Sequence, residues 1–170
     1  MGTFYRIHCK KCGYEKHVGF GTGFLFPEVY EKTVSAAKKG ELGEALKKFF
    51  AQNPDGVIDV SNVIAVCPKC KNIEEVKDLS MYLPKKDVSQ REKNLNRRWS
   101  VAMPFYEKSY VIPWELKEKY NLYEKYPHKC KKCGGDVKIF DEESIENFSG
   151  KCKCPRCNNK IEMQFAGMWD

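Results

Sequence analysis

Short stretches of the chain alternate apolar and polar residues, and others repeat apolar residues at helical spacing. Residues 3–9, Thr-Phe-Tyr-Arg-Ile-His-Cys, alternate as a strand that runs into a cysteine. The glycines of Gly19-Phe20-Gly21-Thr22-Gly23-Phe24 lack the offset of a dinucleotide-binding loop, and no Gly-Lys-Ser/Thr follows. They read as a turn with close backbone approach. A helix over 27–39 begins at Pro27, carries Tyr30, Val34 and Ala37 on one face and stops at Gly40. A second helix over 41–51 carries an apolar stripe of Leu42, Ala45, Leu46, Phe49 and Phe50. Asn53-Pro54-Asp55-Gly56 is a turn, and the β-branched stretch 57–66 is a strand. Residues 73–83 return as a strand that ends at Pro84. Further on, a helix over 113–125 is predicted to start at Pro113 with Leu116, Tyr120 and Tyr123 on one face. Strands follow at 136–140 and 160–165, where Ile161, Met163 and Phe165 alternate inward. An acidic loop, 141–146, lies between them.

The cysteines change this picture most. There are nine, and eight form four Cys-x-x-Cys pairs: Cys9/Cys12, Cys67/Cys70, Cys130/Cys133 and Cys154/Cys157. The N-terminal residues show no apolar secretory segment, so a cytoplasmic, reducing setting is expected, where disulfides are rare. Four such pairs then read as metal sites. Zn²⁺ takes four tetrahedral ligands with sulfur about 2.3 Å away, and two tight Cys-x-x-Cys turns supply two corners each. Gly13, Gly134, Gly135, Asn72, Asn158 and Asn159 after the pairs tolerate the left-handed backbone such turns use. Pro68 and Pro155 stiffen two of the turns.

Nearest-neighbour assembly joins Cys130/Cys133 to Cys154/Cys157 across residues 134–153, close to the spacing of a simple zinc ribbon. It then joins Cys9/Cys12 to Cys67/Cys70 across residues 13–66, a gap that needs a structured insertion. Cys152 is left over. In a strand it points to the same side as Cys154 and is an alternative ligand to it; the standard spacing makes it a partly buried free thiol.

Cys130-Lys-Lys-Cys133-Gly134 with Cys154-Pro155-Arg-Cys157 resembles the zinc-ribbon, or rubredoxin-like, group. Cys9-Lys-Lys-Cys12-Gly13-Tyr14 with Cys67-Pro68-Lys-Cys70 is similar to rubredoxin itself. The resemblance covers the knuckles and their flanking strands. It implies small metal-bound β modules, two Zn²⁺ per chain, iron as the alternative at the first site, and nucleic-acid machinery as a partner class.

The expected fold class is therefore α+β: two small zinc-ribbon (rubredoxin-like) β modules, the first with a two-helix insertion. The expected domains are 1–84, a basic and then aromatic-rich connecting segment 85–126, and 127–170. A module of some 40 residues buries too little apolar surface to fold alone. A structural Zn²⁺ contributes about 10–16 kcal/mol, comparable to the whole stability of a domain.

Of 170 residues, 42% are apolar and 31% charged, and no run is long and apolar enough for a membrane span. The formal charge of +7 counts every cysteine as neutral. Four thiolates around one Zn²⁺ leave a site at −2, so two sites bring the chain to +3. Lysines crowd the knuckles (Lys10, Lys11, Lys69, Lys71, Lys131, Lys132), where they offset the thiolates or meet phosphate. Away from any thiolate, Lys85, Lys86, Arg91, Lys93, Arg97 and Arg98 face only Asp87 and Glu92, and Trp99 follows. Cations followed by aromatics suit single-stranded nucleic acid, through phosphate contacts and base stacking. The same segment also reads as a solvated linker followed by aromatics that dock as core.

The expected function is a non-catalytic, metal-binding protein that binds nucleic acid or another protein, with no small-molecule substrate. A rubredoxin-like electron-transfer protein, with iron at Cys9, Cys12, Cys67 and Cys70, is the alternative. His8, His17 and His128 form no recognisable triad with serine and aspartate, and no carboxylate pair stands out.

Overall fold

The computed structural model of the chain describes residues 2–23, 25–85 and 110–169. They divide into two compact units. The first gathers Met1–Phe24, Ser61–Asp78 and Pro127–Asp170; the second gathers Leu25–Val60 and Leu79–Tyr126. The units interleave along the chain, unlike the sequential segments 1–84, 85–126 and 127–170.

The first unit contains two three-stranded antiparallel sheets. In one, β1 (Gly2–His8) lies between β2 (Glu15–Phe20) and β9 (Glu162–Trp169). In the other, β4 (Asn62–Val66) lies between β5 (Ile73–Lys77) and β8 (Lys138–Phe140). The two are built alike. Each has a hairpin with a Cys-x-x-Cys turn at its tip and a third strand that follows a second Cys-x-x-Cys. Their registers coincide: His8 pairs with Glu15 and Glu162, and Val66 pairs with Ile73 and Lys138. The third strands pair with the hairpins and not with each other, so 127–170 does not form a ribbon of its own.

One apolar core serves both sheets: Ile7, Val18 and Phe20 from the first, Ile64, Val66, Ile73 and Phe140 from the second, with Phe148 and Ile161. Phe148 comes from a short helix, α4 (Phe148–Lys151), and is fully buried, edge-on to Phe140. Met163 packs against this core as its alternation predicts, but Phe165 does not. It is 61% exposed at the sheet edge, edge-on to Tyr5. The glycine run is backbone approach. Gly21 and Asn62 exchange both amide hydrogen bonds, and the Gly19 amide donates to Glu75 at 2.7 Å.

The second unit holds the helices. α1 (Phe26–Lys39) has Pro27 in its first turn and ends at Gly40, whose φ of 87° lets its amide reach the Ala36 and Ala37 carbonyls. α2 runs Glu44–Gln52, later than the apolar stripe predicts, because Gly43 sits at φ 101° and breaks the helix path. Leu46, Phe49 and Phe50 of the stripe are buried, whereas Ala45 is exposed. The single strand predicted over 57–66 is two, β3 (Val57–Ile58) and β4. The strand predicted over 73–83 is likewise β5 and β6 (Met81–Pro84), separated where Leu79 takes φ 61°. The predicted 113–125 helix stops early. α3 spans Pro113–Lys119, and Tyr120–Glu124 is strand β7, paired with β6. The aromatic side chains gain more as strand residues. Tyr120 enters a cluster with Val57, Val111 and Leu116, and Tyr123 stacks on Phe49 at 5.4 Å. Tyr110 is buried in the unit's main cluster, edge-on to Phe26. Among the described residues no helix is long and apolar enough to cross a membrane.

Phe148 and Leu46 are both 0% exposed and belong to different units. Phe148→Ala is expected to cost about 3–5 kcal/mol and to weaken retention of metal; Leu46→Ala is expected to cost about 2–5 kcal/mol and leave metal content unchanged. Urea unfolding and metal analysis on each variant check this.

Candidate metal centres

The eight paired cysteines assemble into two groups of four, in a pairing that differs from the sequential one. Cys9 and Cys12 meet Cys154 and Cys157, and Cys67 and Cys70 meet Cys130 and Cys133. The expected sets Cys9/Cys12/Cys67/Cys70 and Cys130/Cys133/Cys154/Cys157 do not form. The cause is strand pairing. β9 pairs with β1 along its length and carries Cys154 and Cys157 to the tip of the first hairpin. β8 does the same for Cys130 and Cys133 at the second.

All four knuckles share one hydrogen-bond pattern. The first cysteine's amide donates to the carbonyl five residues on: Cys9 to Tyr14, Cys67 to Asn72, Cys130 to Gly135 and Cys154 to Asn159. Its carbonyl accepts from the amide four residues on, at Gly13, Lys71, Gly134 and Asn158. That fourth residue takes φ 67°, 61°, 70° and 59° in turn. Glycine adopts this left-handed backbone without strain; Asn158 tolerates it, and Lys71 holds it against its preference. In each knuckle the first cysteine is buried and the second half-exposed.

Within each group the sulfurs lie within 4.8 Å of one another. Cys9–Cys157, Cys12–Cys154, Cys67–Cys133 and Cys70–Cys130 are each 3.5 Å apart. A disulfide needs about 2.05 Å, so none is formed. Thiolates about 2.3 Å from a tetrahedral ion lie about 3.8 Å from one another, close to these edges. The donor set and its spacing therefore fit a tetrahedral thiolate-bound metal ion.

Donors surround the sulfurs. The Cys70 amide points at the Cys67 sulfur at 3.5 Å and the Arg156 amide at the Cys154 sulfur at 3.4 Å. Asn72 Nδ2 approaches Cys130 at 3.9 Å and Asn159 Nδ2 approaches Cys157 at 3.6 Å. The Asn159 backbone N–H above all lowers the Cys157 thiol to about 6, and the Cys70 backbone N–H lowers Cys67 to about 7. Cys130 is lowered although burial opposes it, because the Cys133 and Lys132 amides and the neighbouring thiols favour its anion. Cys12 and Cys70 go the other way. The Tyr14 and Asn72 amides favour their thiolates, but burial and three neighbouring cysteines push each up to about 12. Four like charges this close do not coexist without a cation. Deprotonating all four sulfurs at neutral pH therefore requires a bound metal ion.

Cys152 belongs to neither group. It is buried in the apolar core, where burial pushes its thiol up to about 11. His128 Nε2 donates to the Asp78 carbonyl at 2.7 Å. His8 faces Glu162 at 3.6 Å, and His17 is exposed near Glu15. Of the basic segment, Lys85 alone lies within the described residues. Its ammonium donates to the Glu118 carbonyl at 2.7 Å and approaches that of Lys117 at 3.4 Å, so it closes the C-terminus of α3. Lys86, Arg91, Lys93, Arg97, Arg98 and Trp99 lie outside the described residues.

The pairing has a direct test. Cys9→Ser/Cys154→Ser is expected to lose one metal ion per chain, and Cys9→Ser/Cys67→Ser both; sequential pairing gives the opposite, and elemental analysis reads the difference. At Gly134, φ 70°, an added Cβ meets nothing within 4 Å, so Gly134→Ala should cost about 1 kcal/mol through backbone strain alone, read by thermal unfolding of the metal-loaded protein.

No protein-family model matches the chain, and no curated protein or solved structure does so significantly. The two four-cysteine groups that can hold metal ions therefore rest on their own geometry.

Proposed function

We propose that this is a non-catalytic binding protein, held together by two structural Zn²⁺ ions, whose partner is nucleic acid. The observation that carries the metal part is the pair of closed four-thiol clusters. A catalytic zinc keeps one position for water, and four thiolates leave none. Cys9, Cys12, Cys154 and Cys157 would hold one ion, and Cys67, Cys70, Cys130 and Cys133 the other. Bound there, each ion supplies fold stability, because ligands from distant parts of the chain share it. Both centres are built from one knuckle in one register, which supports the same ion and role at each. The iron set expected at Cys9, Cys12, Cys67 and Cys70 is not assembled; Cys9 and Cys12 share their group with Cys154 and Cys157, and four thiolates accept iron as well as zinc, so elemental analysis separates the two.

Nucleic acid is favoured by the cations at the knuckles. The intervening positions of the four Cys-x-x-Cys turns carry Lys10, Lys11, Lys69, Lys131, Lys132 and Arg156, two prolines and no acid. A protein-interaction role is the second reading.

Purified protein is expected to be colourless and to contain two zinc ions per chain; a red, iron-containing protein overturns the zinc assignment. Protons compete with the ion for thiolates, so acidification should release both ions, monitored with a zinc-binding dye. Binding to single-stranded oligonucleotide should weaken steeply as salt rises. No binding at low salt removes the nucleic-acid part and leaves the zinc part standing.

A further inference from the structure

The pairing of the knuckles decides which surface cations become neighbours. At the first centre it brings together Lys10, Lys11 and Arg156. At the second it brings together Lys69, Lys131 and Lys132, with Lys71 directly after its knuckle. These two tips differ in what their cations do. At the first, Lys10 is held by Glu162 at 2.7 Å, and Arg156 lies over the Tyr14 ring at 6.0 Å. At the second, Lys69, Lys131 and Lys132 are exposed and make no ion pair among the described residues. Lys71 is folded onto its own knuckle, its ammonium donating to the Pro68 carbonyl. Its charge is therefore fixed at the same tip. Four cations stand against the −2 of one Zn²⁺ and four thiolates, which leaves this tip cationic.

We infer that the tip of the second metal centre, formed by Lys69, Lys71, Lys131 and Lys132, contacts the phosphate backbone of nucleic acid. The inference rests on the nucleic-acid reading proposed above and names its surface. Three features select this partner. The four cations are anchored to backbone that two knuckles fix by hydrogen bonds, so binding orders little of the main chain. The tip offers charge with only Pro68 as an exposed apolar residue, which suits a regular polyanion better than a peptide whose side chains need pockets. Ammonium groups on flexible stems meet phosphates as point charges and need no bidentate geometry.

The test uses the full-length, zinc-loaded protein with oligothymidylate, read by fluorescence anisotropy across a salt series. Each phosphate contact contributes about 0.7 to the slope of log affinity against log salt on single strands. Lys69→Gln/Lys131→Gln/Lys132→Gln should lower that slope by about 2 and reduce affinity more than tenfold at low salt, with two zinc ions retained. Lys131→Gln/Lys132→Gln should lower it by about 1.4, an independent reading should the triple variant lose metal. Lys11→Gln/Arg156→Gln at the first centre should change it less than either. A wild-type slope and affinity in the zinc-loaded variants overturn the inference while the nucleic-acid reading stands. Equal, lysine-dependent binding of polyglutamate overturns the choice of phosphate. No wild-type binding to oligothymidylate overturns both.

Discussion

Four cysteine sulfurs within 4.8 Å of one another set the terms for the first unit. As thiols they hydrogen-bond; as thiolates they repel strongly. Backbone amides lower Cys157 to about 6 and Cys67 to about 7, whereas burial and the neighbouring cysteines push Cys12 and Cys70 up to about 12 against the pull of the Tyr14 and Asn72 amides. A divalent cation resolves the conflict by converting mutual repulsion into shared attraction. The rest of the unit arranges itself around that requirement. Each sheet delivers two knuckles to one point, and each knuckle spends two backbone hydrogen bonds to aim two sulfurs at it.

The two centres are one device used twice. Identical register at both hairpins, and again at both third strands, means that each sheet brings its four sulfurs together in the same way. They share one apolar core, in which Cys9 and Cys154 themselves take part. In each knuckle the first cysteine is buried and the second half-exposed, so the knuckle tips are the natural place for charge. Lysine and arginine there offset the thiolates locally. The second centre has more free cations than its thiolates require, and the first holds two of its three, Lys10 and Arg156, in contacts with Glu162 and Tyr14.

The ligands, the turn chemistry and most of the strands were legible in the sequence. The residue directly after each Cys-x-x-Cys takes positive φ; Gly13, Gly134 and Asn158 mark three of these turns in the sequence, whereas Lys71 at the remaining one does not. The helix from Pro27 to Gly40 and the buried stripe of Leu46, Phe49 and Phe50 follow from local propensity and capping. The early end of α3 was not legible, because Tyr120 and Tyr123 gain from partners, Val57 and Phe49, that lie far away in sequence. Nor was the role of Lys85, which meets the end of α3 only once the chain has folded.

Which knuckles join was also beyond the sequence. Each centre takes one glycine-ended knuckle and one proline-containing knuckle, and the sequential pairing satisfies that condition equally well. Separation along the chain was the remaining guide, and it misleads because loop-closure entropy rises only with the logarithm of length, about 0.6 kcal/mol per doubling. Seven paired residues between β1 and β9 outweigh that difference. Residue chemistry alone therefore determined that eight sulfurs are arranged to bind metal in tight turns. Long-range strand pairing, and the core it buries, decided which four share each centre and which lysines stand together at its tip.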